Sequence, residues 1–233
     1  MTLDILIPIY QPHEKWASEF IDHYHVLKSR LKPNLKVNLI LVNDGSITDL
    51  AKDGAYISSH LAEASYYSYK ENRGKGYALR YAAEKSQAEW IMYTDYDFPY
   101  TYDSMLNMLD KLMSGEFDAV VGKRDDSYYN HISPRRRRIS QFLKKFNSLL
   151  FNLPTDDTQC GLKAFNAEAR KTFLETTTDR YLIDVEFLKK LSSAKKRVGV
   201  QMVELRKGVV LSKISNLSLF KEMINYLRIM LSN

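Results

Sequence analysis

Val37-Asn38-Leu39-Ile40-Leu41-Val42-Asn43-Asp44-Gly45-Ser46 is a largely apolar run that breaks into a turn of two polar side chains, a glycine and a serine. A run of this length bounded by turn residues reads as a buried strand. The glycine permits a sharp reversal and the serine is able to cap a following helix. Towards the N-terminus, Leu3 to Ile9 is a second such strand. Between the two, Trp16, Phe20, Tyr24, Leu27 and Leu31 recur three or four residues apart on an otherwise polar segment, which places one face of a helix on a sheet.

Towards the C-terminus, a helix over Thr48 to His60 leads to a strand from Ser65 to Tyr69, and Asn72-Arg73-Gly74-Lys75-Gly76 opens a helix from Tyr77 to about Ala88. The strand Trp90 to Thr94 runs into Asp95-Tyr96-Asp97. A helix from about Tyr102 to Met113 then returns the chain to a fifth strand, Ala119 to Gly122. Strands alternating with helices in this order predict an α/β fold: a doubly wound, mostly parallel sheet flanked by helices, with ligands gathered at the strand ends.

The second half is less regular. Lys123 to Arg138 is polar, basic and aperiodic, and reads as a loop beside the site. Ile139, Phe142, Leu143, Phe146, Leu149 and Leu150 mark one face of a helix that Pro154 stops. Asp157-Thr158-Gln159-Cys160-Gly161 precedes a short strand, Leu162 to Phe165. A helix over Tyr181 to Leu191 and a strand over Val198 to Leu205 follow. Leu217, Phe220, Met223, Ile224, Leu227 and Leu231 share one side of a C-terminal amphipathic helix with Lys221 and Arg228 at its flank. Such a helix either packs on its own domain or lies in a membrane interface.

A chain of 233 residues suits one domain. Its formal charge of +6 favours anionic partners without choosing among nucleotide diphosphates, lipid surfaces and nucleic acid. The 16 tyrosines are spread along the chain rather than clustered with the arginines, which argues against nucleic acid as a partner. The lone Cys160 excludes an internal disulfide and suits a reducing, cytoplasmic compartment. The first ten residues read as a strand rather than a signal peptide, and no run of 18 apolar residues predicts a membrane span, so membrane contact is expected to be peripheral.

Asp95 and Asp97, one residue apart at a strand's carboxyl end, are placed to aim two carboxylates at one hard cation, or else are two solvated turn residues. Asn72 to Gly76 supplies glycines, a lysine and backbone N–H groups ahead of a helix, which suits an anion or a nucleoside edge, or else simply caps that helix. Asp44 is either an acceptor for a ribose or base, or a helix cap. Arg135 to Arg138 is a run able to grip phosphate.

Taken in order, Ile7-Pro8-Ile9-Tyr10, Val42 to Ser46, Asn72 to Gly76, Asp95-Tyr96-Asp97, Gly122-Lys123-Arg124, Asp157 to Lys163 and Tyr181 to Phe187 resemble the family 2 glycosyltransferases. Within them they resemble the branch of dolichyl-phosphate mannose and glucose synthases. The resemblance implies a GT-A fold, with residues 1–122 as a Rossmann-like nucleotide-sugar half and residues 123–233 as a smaller acceptor half. It implies transfer of a hexose, with inversion, from a UDP- or GDP-linked donor to a polyprenyl phosphate.

On this resemblance Pro8, Tyr10, Glu14, Asp44, Lys75, Gly76 and Asp95 bind the nucleotide sugar, and Asp95 and Asp97 hold Mg²⁺ or Mn²⁺. Arg124, Arg135 and Arg138 bind the acceptor phosphate, Gln159 lies on the acceptor side, and Asp97, Asp157 and Arg124 are the catalytic set. Where the lipid-phosphate branch often has Leu-Gln after its second aspartate, this chain has Phe98-Pro99, so a water or Gln159 is left to complete the metal shell. A phosphate acceptor needs no base, whereas a glycan or small-molecule hydroxyl would need one, for which Asp157 is the candidate.

Overall fold

In the computed structural model, which describes residues 1–125 and 154–209, the β1 strand (Thr2–Ile9) begins a sheet of seven strands. The others are β2 (Lys36–Asp44), β3 (Ala64–Tyr69), β4 (Trp90–Tyr93), β5 (Ala119–Arg124), β6 (Lys163–Asn166) and β7 (Val198–Val203). Six helices accompany them among the described residues: α1 (Trp16–Arg30), α2 (Ala51–His60), α3 (Lys75–Lys85), α4 (Tyr102–Met113), α5 (Ala167–Leu174) and α6 (Ile183–Ser193). Arg135, Arg138, the helix expected over 139–150 and the C-terminal amphipathic helix lie outside the described residues. No described helix is long and apolar enough to cross a membrane.

The strand order is β3-β2-β1-β4-β6-β5-β7. β1 pairs in parallel with β2 and β4, so Leu6 stands beside both Ile40 and Tyr93. Chain order reverses between β1 and β4, which is the switch point where a parallel sheet opens a crevice at its carboxyl ends. The mostly parallel expectation holds, with one departure: β5 does not lie beside β4. β6 runs between them, antiparallel to both, with Ala164 opposite Met92 and Val120. Lys163 at the start of β6 pairs with Val121, so the chain re-enters the sheet from the rim where β5 left it and must run the other way.

Side chains alternate across the strands as the pleat requires. Leu3, Ile5, Ile7 and Ile9 face a core closed by Trp16, Phe20, Tyr24 and Leu27 of α1 and by Met105, Met108, Leu109 and Leu112 of α4. Leu6, Ile40 and Val42 face the other core, closed by α3, α5 and α6. There Phe165, Phe173 and Phe187 pack with ring centroids 4.9 to 5.2 Å apart. Burial of such side chains contributes about 1.5–3 kcal/mol each.

Local chemistry sets several element ends differently from the sequence expectation. α2 begins at Ala51, whose N–H donates to Asp49 Oδ1 at 2.9 Å, rather than at Thr48. Ser46 does not cap it: its hydroxyl accepts from the Gln11 N–H at 2.9 Å, tying the exit of β1 to that of β2. β5 extends through Arg124, which puts that arginine on a strand end rather than in a loop. α5, which the sequence reading did not include, is capped by Asn166, whose Oδ1 accepts from the Ala169 N–H at 2.8 Å.

Candidate functional site

The carboxyl ends of β1, β2, β4 and β5 and the entry to β6 share one rim of the sheet. Asp95 follows β4 there, and its Oδ1 lies 2.5 Å from Lys75 Nζ, at the first residue of α3. Burial alone would lower the lysine's pKa. The Asp95 and Asp184 carboxylates outweigh it, so the ammonium sits above its ordinary value and stays charged. Asp97 shows the opposite tendency: burial, then the neighbouring Asp95, raise its carboxyl above the ordinary value. Two partly buried carboxylates whose charges oppose each other are placed to welcome a cation.

The turn that carries them is held from a distance. Phe98 has a left-handed backbone, φ 44°, and its N–H donates to the Asp95 carbonyl at 3.1 Å. Its ring is fully buried against Phe20. Arg206, just past β7, donates from Nη2 to the Asp97 carbonyl at 2.7 Å and from Nε to the Phe98 carbonyl at 2.6 Å. Its backbone N–H reaches the Pro99 carbonyl at 2.8 Å. Three consecutive carbonyls are thus fixed by one residue that the sequence reading missed.

Asp44 ends β2 with its carboxylate already engaged. It accepts from the Tyr69 hydroxyl at 2.9 Å, from Asn72 Nδ2 at 2.7 Å, and from the N–H groups of Arg73 and Gly74 at 2.8 Å. The side chain shapes the 72–74 loop rather than facing an open pocket. Gly45 allows this closeness: at φ 59° it passes the Glu71–Asn72 backbone where a Cβ would meet Asn72 N at 2.4 Å. The N–H of Gly76, offered by the sequence to an anion or a nucleoside edge, instead donates to the Asp179 carbonyl at 2.8 Å, as does that of Tyr77 at 3.1 Å. That part of the segment is a capping turn, and Lys75 is its contribution to the rim.

Tyr10 and Glu14 are exposed beyond the end of β1, and Pro8 is the strand's penultimate residue, partly buried. On the other side, Asp157 and Arg124 meet. The arginine donates from its backbone N–H at 2.8 Å, Nε at 2.9 Å and Nη2 at 2.6 Å, and the Asp157 side chain is only 2% exposed. Gln159 is exposed nearby. Gly161 lies against the Lys75–Asp95 ion pair: a Cβ there would stand 3.1 Å from Asp95 Oδ2 and 3.4 Å from Lys75 Nζ. Its N–H donates to the Tyr100 hydroxyl at 3.0 Å.

Beneath the rim lies a buried cation, Lys163. Its Nζ donates to Asp184 Oδ1 at 2.5 Å and to the carbonyls of Cys160 at 2.7 Å and Thr158 at 3.2 Å. The Tyr93 hydroxyl donates to the same Asp184 oxygen. A lysine set between Leu162 and Ala164-Phe165 was the visible signal, because an ammonium among apolar neighbours needs a partner. Glu186 is occupied locally: burial raises its pKa, but hydrogen bonds from Thr178 and Thr177 bring the net value below the ordinary one.

Chemically, the rim offers two neighbouring carboxylates, Asp95 and Asp97, and two cations, Lys75 and Arg124. No group of three or more His, Cys, Asp or Glu able to hold a metal occurs among the described residues. A hard divalent ion bound at Asp95 and Asp97 would therefore take its remaining ligands from a diphosphate and water, as Mg²⁺ commonly does.

Residues 4–174 match the family described as Glycosyl transferase family 2. The dolichyl-phosphate beta-glucosyltransferase of Dictyostelium discoideum is 25% identical over 221 residues, covering 87% of this chain and 67% of that protein. That of Drosophila melanogaster is 29% identical over 203 residues, covering 81% of this chain and 62% of that protein. The chain thus spans about two thirds or less of these relatives. The mannosyl-3-phosphoglycerate synthase of Rubrobacter xylanophilus superposes with a TM-score of 0.72 at 16% identity, covering 99% of this chain and 73% of that one. A glucosyl-3-phosphoglycerate synthase of Mycobacterium tuberculosis, solved with Mn²⁺, uridine diphosphate and glucosyl-3-phosphoglycerate, gives 0.66 at 15% identity, covering 99% and 78%. These likenesses show the GT-A fold.

Proposed function

The chain belongs to glycosyl transferase family 2, and from that membership we propose that it transfers a hexose, with inversion, from a UDP- or GDP-linked sugar to a polyprenyl phosphate. The observation that carries the proposal is the meeting of Lys75–Asp95 and Arg124–Asp157 on one rim, with Asp97 between burial and a like charge. Donor and acceptor each need a cation there, and each side has one. The relatives named dolichyl-phosphate beta-glucosyltransferase support the lipid phosphate as acceptor.

Asp95 and Asp97 would hold Mg²⁺ or Mn²⁺. Such an ion would supply Lewis-acid stabilisation of the charge left on the nucleotide diphosphate. The chain's own residues do the rest. Lys75 stays charged beside Asp95 and neutralises the leaving phosphates as they take up negative charge. Arg124 orients the acceptor phosphate, already largely a dianion at neutral pH, for in-line attack on the anomeric carbon. Gly161 keeps the floor between them low enough for the sugar. The commitment of Asp157 to three donors on Arg124 favours this reading over a hydroxyl acceptor, since a base must be free to take a proton. The reaction is then peripheral to a membrane, at its cytoplasmic face.

The test is a two-phase assay. Radiolabelled UDP-glucose or GDP-mannose is incubated with Mn²⁺, undecaprenyl phosphate and the protein, then partitioned between butanol and water. Label in butanol is the expected result. Label passing only to a water-soluble glycan, with none in butanol, would overturn the lipid-phosphate assignment.

A further inference from the structure

We propose that the buried Tyr93–Lys163–Asp184 cluster is a positioning element for transfer: Lys163 fixes the 157–161 turn so that the acceptor-side pair and the donor-side pair stand at a working distance. The inference rests on the proposed glycosyl transfer, but its geometry stands independently. Lys163 opens β6, Tyr93 ends β4 and Asp184 lies in the first turn of α6, so three elements converge on one ammonium and one carboxylate. The lysine side chain is 1% exposed and the aspartate 5%.

An ion pair so buried is a poor choice for stability alone. The desolvation of both charges consumes much of their attraction, and apolar residues of similar volume usually hold a fold as well or better. An apolar residue cannot hold two carbonyl oxygens at once, however, and Lys163 does so, at Thr158 and Cys160. Both carbonyls turn inward, while Gln159 between them remains exposed and Gly161 lies against Asp95 and Lys75. Asp157, one residue before the clamped span, is thereby carried to Arg124. Asp184 serves twice: it neutralises Lys163, and its charge also acts on Lys75 above. The Tyr93 phenol, pushed well above its ordinary pKa by burial and then by Asp184, stays neutral and donates.

The experiment replaces the cluster with apolar residues of similar size, Tyr93→Phe, Lys163→Met and Asp184→Leu together, and compares the variant with wild type. Melting temperature should hold within about 4 °C, and KM for the acceptor should rise about tenfold or more while Kd for UDP with Mn²⁺ changes by a clearly smaller factor. A scaffold-only role would move donor and acceptor terms together. Wild-type acceptor kinetics in the folded triple variant would overturn the inference.

Because the triple variant could fail to fold, Asp184→Asn is followed in parallel by hydrogen exchange. The Gly161 amide should exchange about tenfold faster while β1 and β2 keep their protection. Unchanged or uniformly faster exchange would overturn the inference. This arm needs no substrate. If the wild type transfers no sugar to lipid or glycan, the proposed activity falls and exchange alone decides the role of the cluster.

Discussion

Arg124 grips the Asp157 carboxylate through its backbone N–H, Nε and Nη2, all within 2.9 Å. The Asp157 side chain is almost wholly shielded from water and that of Arg124 largely so. Removing one partner therefore strands a buried charge, and the loss is expressed in stability as well as in function.

For Asp157→Asn we expect a loss of about 3–5 kcal/mol in stability, read by denaturant unfolding. Where the protein remains folded, kcat/KM for a lipid phosphate should fall without a new acidic limb in the pH profile. A limb present in wild type and absent in the variant would instead mark Asp157 as a base.

Lys75→Met removes the cation that competes for Asp95. Mn²⁺ should bind more tightly by about threefold, measured by paramagnetic titration, while kcat falls about a hundredfold because the leaving diphosphate loses its counter-charge. Equal weakening of metal binding and turnover would contradict this division of roles.

The two glycines of the rim should separate stability from chemistry. Gly161→Ala brings a Cβ against the end of the Asp95 side chain, which can shift, so melting should change little while turnover drops about tenfold. Gly76→Ala instead drives a Cβ to 2.3 Å from the Thr178 carbonyl, a backbone atom that cannot easily retreat. It should cost about 1–3 kcal/mol or more, read by thermal unfolding.

Asp97 sets a pH dependence. Its folded pKa lies above the unfolded value, so in the metal-free protein the native state holds more protons between the two values, and stability falls as pH rises through that window. Divalent-ion affinity runs the other way and weakens as pH falls, because the ion must displace the proton. Asp97→Asn should accordingly raise the melting temperature of the metal-free protein at neutral pH by about 2–4 °C and abolish stabilisation by Mn²⁺ with UDP. A drop in melting temperature would be inconsistent with the buried like-charge pair.

Much of this rim was legible before the structure. The apolar runs ending at Asp44 and Asp95 placed both carboxylates at strand ends, because strand period and turn residues are local signals. What those carboxylates meet was not legible. Asp44 faces donors from residues 69–74, and only folding shows that a conspicuous acid is spent on its own chain. Arg206 reaches Asp97 from 109 residues away, with no pattern near either to announce it. The direction of β6 was equally silent, since four residues carry no sign of which way they run. Lys163 was the exception, a charge in an apolar strand whose partner could have been sought.

The antiparallel β6 bears on how the molecule could be divided. β5 belongs by sequence to the first half, yet its sheet partners are β6 and β7 from the second. A fragment ending at 122 would carry β5 with neither neighbour, exposing an apolar edge suited to aggregation. The two halves are therefore spliced through the sheet rather than joined end to end. During synthesis β1 to β4 already have neighbours among themselves, whereas β5 has none until the ribosome delivers residues 163–203.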